Sequence, residues 1–124
     1  MNMRVRPENF TVSRLGPNEP VPAWATTGQL WSIVRSEDEM SIVCGDGFVP
    51  AGLKRAERGW RAVQLEGPIS FGLTGILTSV LDPLAAASIG IFAFSTFDTD
   101  YVLVKSADLG TAVEALRGAG HVIL

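Results

Sequence analysis

The chain has 124 residues, 47% of them hydrophobic and 19% charged, with a formal net charge of −3. That is enough apolar material for a packed core in one compact domain or two very small subdomains, and it argues against disorder. A mildly acidic chain with no run of Lys or Arg is poorly suited to polyanions, which disfavours nucleic acid and an anionic membrane surface as partners.

Near the start, Arg4 and Arg6 are followed by Pro7, Glu8 and Asn9 and not by an apolar run, so no secretory leader is expected. The most apolar stretch, Ile89 to Phe94, is too short to span a bilayer, and the expected location is the cytoplasm. Phe10 to Leu15 is the first strand candidate. Pro17, Pro20 and Pro22 then leave room only for a short helix near Ala23 to Thr26. Leu30 to Arg35 and Met40 to Cys44 read as a hairpin around Ser36–Glu39. Cys44 is the single cysteine, which rules out an internal disulfide and a cysteine-based zinc site; in the run Ser41-Ile42-Val43-Cys44 it reads as a small buried hydrophobe and not as a nucleophile. Ala51 to Arg58 is a short helix candidate, and Gly59-Trp60 opens the next strand.

In the second half, Trp60 to Glu66 alternates, with Arg61, Val63 and Leu65 on one side, and Gly67-Pro68 ends it. Ile76, Leu77, Val80, Leu81 and Leu84 form the stripe of an amphipathic helix, which Pro83 is expected to kink or restart. Ile89 to Ser95 and Tyr101 to Lys105 are strands joined by Thr96-Phe97-Asp98-Thr99-Asp100. Ser106 or Asp108 can cap a helix whose face is Leu109, Ala112, Val113 and Leu116, with Gly118 and Gly120 as its stop. His121 to Leu124 reads as a last short strand.

The order β-α-β-β-α-β is the split-βαβ, or ferredoxin-like, unit of an α+β protein, with helices on one face of an antiparallel sheet. The first half repeats the plan more weakly. An offset of 60 residues places Ser32-Ile33-Val34 on Phe92-Ala93-Phe94 and Ile42-Val43 on Val102-Leu103, which points to a tandem repeat. The expected domains are a degenerate unit over 1–59 and a second unit over 60–124.

Catalytic constellations are scarce. His121, the single histidine, stands without an acid or nucleophile near it in sequence and reads as structural. Asp98 and Asp100 sit in a tight connection and read as turn formers, a third oxygen donor at metal-ligand spacing being missing. No cofactor and no metal is expected. Two segments stand out. Gly67 to Leu77 (GPISFGLTGIL) places three glycines where a strand passes into a helix, either to seat a carboxylate on backbone N–H groups or simply to permit the turn. Ser95 to Asp100 (STFDTD) interrupts two apolar strands with acids and hydroxyls, either to hold an ammonium group or as a solvated loop. Together they could supply the anion and cation sites that an amino acid needs.

The stretches LWSIVRSEDEMSIVC, GWRAVQLEGPISFGLTGILTSVLDPLAAASIGIFAFSTFDTDYVLVK and AGHVIL resemble a bacterial family of short tandem-ACT proteins, from about Phe10 to Leu124. The pattern is also similar to the ACT units of the cytosolic arginine sensors called CASTOR. The resemblance implies two ferredoxin-like ACT units, a regulatory and non-catalytic role, a small-molecule ligand of the amino-acid class, and a homodimer. It also implies a ligand site made of Gly75 and Ile76 at the strand-to-helix junction, Gly90 and Ile91 on a strand that pairs with a neighbouring unit, and Thr96, Phe97 and Asp100 of STFxxD. Asp100 would hold an ammonium or guanidinium group. Leu73 stands where an acidic residue would help to bind a cationic side chain, which leaves a neutral or apolar amino acid as plausible as arginine. The same resemblance also admits a ligand-free module that serves only to dimerise or to dock a partner.

Overall fold

Alternation and helical stripes resolve, in a computed structural model describing Met1–Leu124, into eight strands and two α-helices. In chain order the strands are β1 (Asn2–Val5), β2 (Phe10–Leu15), β3 (Ser32–Arg35), β4 (Met40–Gly45), β5 (Ala56–Leu65), β6 (Ile91–Ser95), β7 (Asp100–Lys105) and β8 (Val122–Ile123). The helices are α1 (Ile76–Ala86) and α2 (Leu109–Gly118), with 3-10 turns at Ala23–Thr26, Asp46–Phe48 and Ser106–Asp108. The class is α+β, as expected. By its internal contacts the chain divides into two units, Glu8–Trp60 and a second made of Met1–Pro7 with Arg61–Leu124, so the boundary falls inside β5.

In the unit Glu8–Trp60, β4 pairs antiparallel with β3 on one side and β2 on the other, and β2 pairs with the first half of β5. That is the strand order of a ferredoxin-like unit, with the first helix reduced to the turn at Ala23–Thr26. Met40, Ile42, Cys44, Ala25 and Val49 form its buried core. Arg35, at the end of β3, donates to the carbonyls of Pro17 (2.5 Å) and Glu19 (2.7 Å) and so ties down the proline-rich connection. The helix expected over Ala51 to Arg58 is absent. Turns occupy its first residues, and Ala56 and Glu57 already face Ser13 and Val12 across a ladder. Backbone pairing wins over the helix propensity of Ala, Lys and Arg here. Gly59, at φ +78°, lies inside the strand and not at its opening: Phe10 faces Trp60 while Val12 faces Glu57, a bulge that inserts one extra residue.

In the other unit β7 lies between β6 and the second half of β5. Beyond β5 comes β1, antiparallel to it, and then β8, parallel to β1. Residues 1–7 therefore group with 61–124, where the sequence boundary had placed them in the first unit. Met3 is fully buried among Val63, Leu65, Val80, Leu84, Val102, Val104 and Leu116, which explains why this strand cannot be left outside. The expected stripe on α1 is borne out in detail: Val80 and Leu84 are buried, and Ile76, Leu77 and Leu81 pack against the core.

Pro83 lies inside α1 and does not restart it: the helix runs on to Ala86. Proline has no N–H to give the carbonyl four residues earlier, that of Ser79. His121 Nε2 lies 2.8 Å from that oxygen and supplies the missing donor. A carbonyl can only accept, so the Nε2–H form of the imidazole is the one present. Its Nδ1 is buried without a partner. Gly120, at φ +95°, ends α2 with the His121 N–H on the Leu116 carbonyl, the stop expected there. Asp108 stands at the N-cap position of α2 but makes no capping bond with its side chain.

The two hairpins share one register. Ser32 faces Val43 and Arg35 faces Met40; sixty residues on, Phe92 faces Leu103 and Ser95 faces Asp100. Ser36 N–H bonds the Glu39 carbonyl at 2.9 Å, and Thr96 N–H bonds that of Thr99 at 2.8 Å. The 3-10 turns that follow, Asp46–Phe48 and Ser106–Asp108, keep the same offset.

Candidate functional site

Both segments that stand out in the sequence border one groove of about 330 Å³ in the unit Arg61–Leu124. From the junction between β5 and α1 come Ile69, Ser70, Phe71, Leu73, Gly75, Ile76 and Leu77; from the β6–β7 connection come Ser95 through Asp100. The two segments are tied together. Ile69 N–H donates to the Asp98 carbonyl at 2.7 Å, and the buried Thr99 hydroxyl donates to the Leu65 carbonyl at 2.6 Å. Gly67 makes this approach possible, because a Cβ there would stand 2.7 Å from the Asp98 carbonyl oxygen and 3.2 Å from Thr99 Cβ. The Gly67–Pro68 peptide is cis.

Each wall has a polar feature. On the junction side Gly75 takes the left-handed conformation, φ +76° and ψ 0°, immediately before α1, and no side chain caps the helix. The N–H groups of the first turn, Ile76 to Thr78, precede the first intrahelical donor, Ser79, which bonds the Gly75 carbonyl at 3.0 Å. Those groups and the helix dipole favour a negative charge. On the hairpin side, Asp100 is half-buried and one carboxylate oxygen accepts from the Ser95 hydroxyl, leaving the other oxygen for a cationic partner. Between these poles the lining is largely apolar. The Phe71 and Phe97 rings meet edge to face, 5.1 Å apart at 83°. The groove carries no His, Cys, Lys or Arg.

Five of the residues picked out from sequence, Gly75, Ile76, Thr96, Phe97 and Asp100, therefore line one groove. Gly90 and Ile91 do not. Ile91 faces Val104, whereas Ser95 faces Asp100, so they sit at the opposite end of the β6–β7 ladder. Ser70, Phe71 and Leu77, not singled out before, belong to the same glycine-containing segment. Ser95 and Thr99 belong to the same polar loop.

Residues 55–118, just over half of the chain and including the whole groove, match a family model described as ACT domain. The chain belongs to the ACT domain family. A second family model, described as an N-terminal domain, matches residues 8–52. Among curated relatives, the human cytosolic arginine sensor for mTORC1 subunit 1 is 39% identical over 59 residues. The match covers 47% of this chain but only 18% of that protein. The human putative protein CASTOR3P is 38% identical over 84 residues, 59% of this chain and 52% of that one. The chain thus spans about half or less of the curated relatives it matches. Among solved structures, the Agobacterium tumefaciens protein Atu0741 is similar over 99% of this ACT-domain chain and 91% of its own, with 41% identity and a TM-score of 0.93. The regulatory subunit of aspartate kinase from Thermus flavus shares the fold at 11% identity, with a TM-score of 0.68 over 96% of this chain and 97% of that one.

Proposed function

We propose that this ACT chain is a regulatory module that binds an amino acid in the groove between the β5–α1 junction and the β6–β7 loop, without catalysing a reaction. One observation carries the reading: a single groove has an uncapped helix N-terminus on one wall and the Asp100 carboxylate on the other. The ligand carboxylate would sit on the N–H groups of Ile76 to Thr78 and its ammonium on Asp100. The lining has no His, Lys or Arg to activate its Ser and Thr hydroxyls, which favours binding over turnover. The similarity to a human cytosolic arginine sensor supports the amino-acid class and a cytoplasmic setting. No helix is long and apolar enough to cross a membrane. The two hairpins, matched in register at an offset of 60, support a tandem pair of ACT units.

A homodimer belongs to the same reading. β6 has a single strand partner, and Ile91 on it is 38% exposed, so Gly90 and Ile91 are available to a second copy even though they stay outside the groove. If that edge were all the chain uses, it would be a dimerisation module without a ligand. Melting the chain with each of the twenty amino acids at millimolar concentration separates the two. A ligand at a hundred times its Kd adds about 2.7 kcal/mol, roughly 10 °C for a chain of this size. Asp100→Ala should weaken that ligand at least tenfold while leaving the dimer intact. The absence of any shift with all twenty, alongside a stable dimer, would leave the dimerisation reading in its place.

A further inference from the structure

The groove's apolar wall has side chains out of keeping with a solvated surface. Phe71 is 76% exposed, Phe97 81% and Leu73 58%. Large apolar side chains are ordinarily buried, and three of them around one hollow mark a surface that an apolar group covers. They are not loose: the Phe rings brace each other edge to face, and the segments that carry them are joined by the Ile69–Asp98 backbone bond. The Phe pair also borders a second hollow, together with Pro68, Ser70 and Gly72.

We infer that Phe71, Leu73 and Phe97 are specificity-determining residues that select an amino acid with a large apolar side chain, aromatic or branched aliphatic; this rests on the amino-acid reading above. With the ligand's ammonium on Asp100 and its carboxylate at the start of α1, the side chain meets Ile69, Leu73, Leu77 and the Phe pair. An acidic side chain would find no cation in the lining and two carboxylates, Asp98 and Asp100. A basic one would have only Asp98 left, whose side chain is exposed, and an exposed ion pair changes affinity by no more than about fivefold. Covering a leucine-sized side chain is worth about tenfold or more. Alanine or glycine would leave the rings uncovered.

The test is calorimetric titration of the full chain with L-leucine, L-phenylalanine, L-alanine, L-glutamate and L-arginine, repeated on Phe71→Ala, Phe97→Ala and Phe97→Leu. All three substitutions are at exposed positions, so melting temperatures should stay within a few degrees of the parent. The expected result is that leucine or phenylalanine binds at least tenfold tighter than alanine, glutamate or arginine. Phe71→Ala and Phe97→Ala should remove most of that preference without weakening alanine, and Phe97→Leu should retain it. Tightest binding of arginine or glutamate, or an apolar preference unchanged in both alanine variants, overturns the inference and leaves the amino-acid reading standing. Failure of every amino acid to bind the parent chain overturns both.

Discussion

The contact between His121 and α1 makes a double-mutant prediction whose sign is fixed by geometry. Pro83 leaves the Ser79 carbonyl without its intrahelical donor, and His121 Nε2 replaces it at 2.8 Å. Changing His121 to Leu removes that donor from the Ser79 carbonyl. A single hydrogen bond contributes about 0.5–1.5 kcal/mol net, and Ser79 is partly reached by water, so the expected loss is about 1 kcal/mol. For 124 residues that lowers the melting temperature by about 4 °C. In a Pro83→Ala background the backbone N–H restored at that position can take the same carbonyl, and His121→Leu should then cost less than half as much. Thermal and urea unfolding of the four proteins, followed by circular dichroism, gives the coupling energy directly. Additive effects, with coupling below about 0.3 kcal/mol, would show that His121 does not stand in for the proline's missing N–H.

Two further outcomes follow from named contacts. Gly67→Ala places a methyl 2.7 Å from the Asp98 carbonyl oxygen, a backbone atom that cannot swing away. Forcing the segments apart should cost about 2–4 kcal/mol through overpacking and loss of the Ile69–Asp98 bond, whereas Gly110→Ala, with nothing within 4 Å in α2, should leave stability unchanged or raise it slightly. Equal melting temperatures for the two variants would contradict this. Burial, assisted by the charge of Asp46 and opposed by that of Arg58, pushes the Cys44 thiol from 9.0 up to about 11. The folded state therefore holds the proton that the unfolded state releases above pH 9. The stabilisation is complete below pH 9 and is lost as pH rises through about 11, at most about 2–3 kcal/mol. Urea titrations between pH 8 and 11 should show this decline in the parent chain and a flatter profile in Cys44→Ala.

What could be read from the sequence depended on how strongly a segment declared its own period. The stripe on α1 and the apolar runs of β4, β6 and β7 are strong signals, and they emerge where expected. β1 is four residues, Asn2–Val5, with Asn and Arg among them; only its ladders with β5 and β8 make it a strand. Ala51 to Arg58 misleads for the opposite reason, since its residues favour a helix while β2 claims the backbone at Ala56 and Glu57. For the groove, glycine density and a polar break between apolar strands pointed to both walls. The choice of Gly75, Ile76, Thr96, Phe97 and Asp100 within those walls came from the resemblance to the arginine sensors, and all five line the groove. Gly90 and Ile91 came from the resemblance alone, as residues on a strand that pairs with a neighbouring unit, and four positions of strand separate Ile91 from the groove residue Ser95. The need for glycine at position 67 is a matter of distance to a carbonyl 31 residues on, which no local pattern encodes.

The ladder between β1 and β8 also couples the first strand to the last. β8 has β1 as its only strand partner: Val122 N–H bonds the Met1 carbonyl at 3.0 Å and Leu124 N–H that of Met3 at 2.8 Å. β1 in turn is anchored by β5 and by the burial of Met3. β8 therefore has no strand to pair with until β1 lies beside β5, and closing Asn2 on Val122 spans nearly the whole chain. Contacts of such separation form late and slowly. The two strands would also come loose together, as one cooperative unit in which release of β1 exposes the β8 amides to exchange with solvent while the hairpins stay closed.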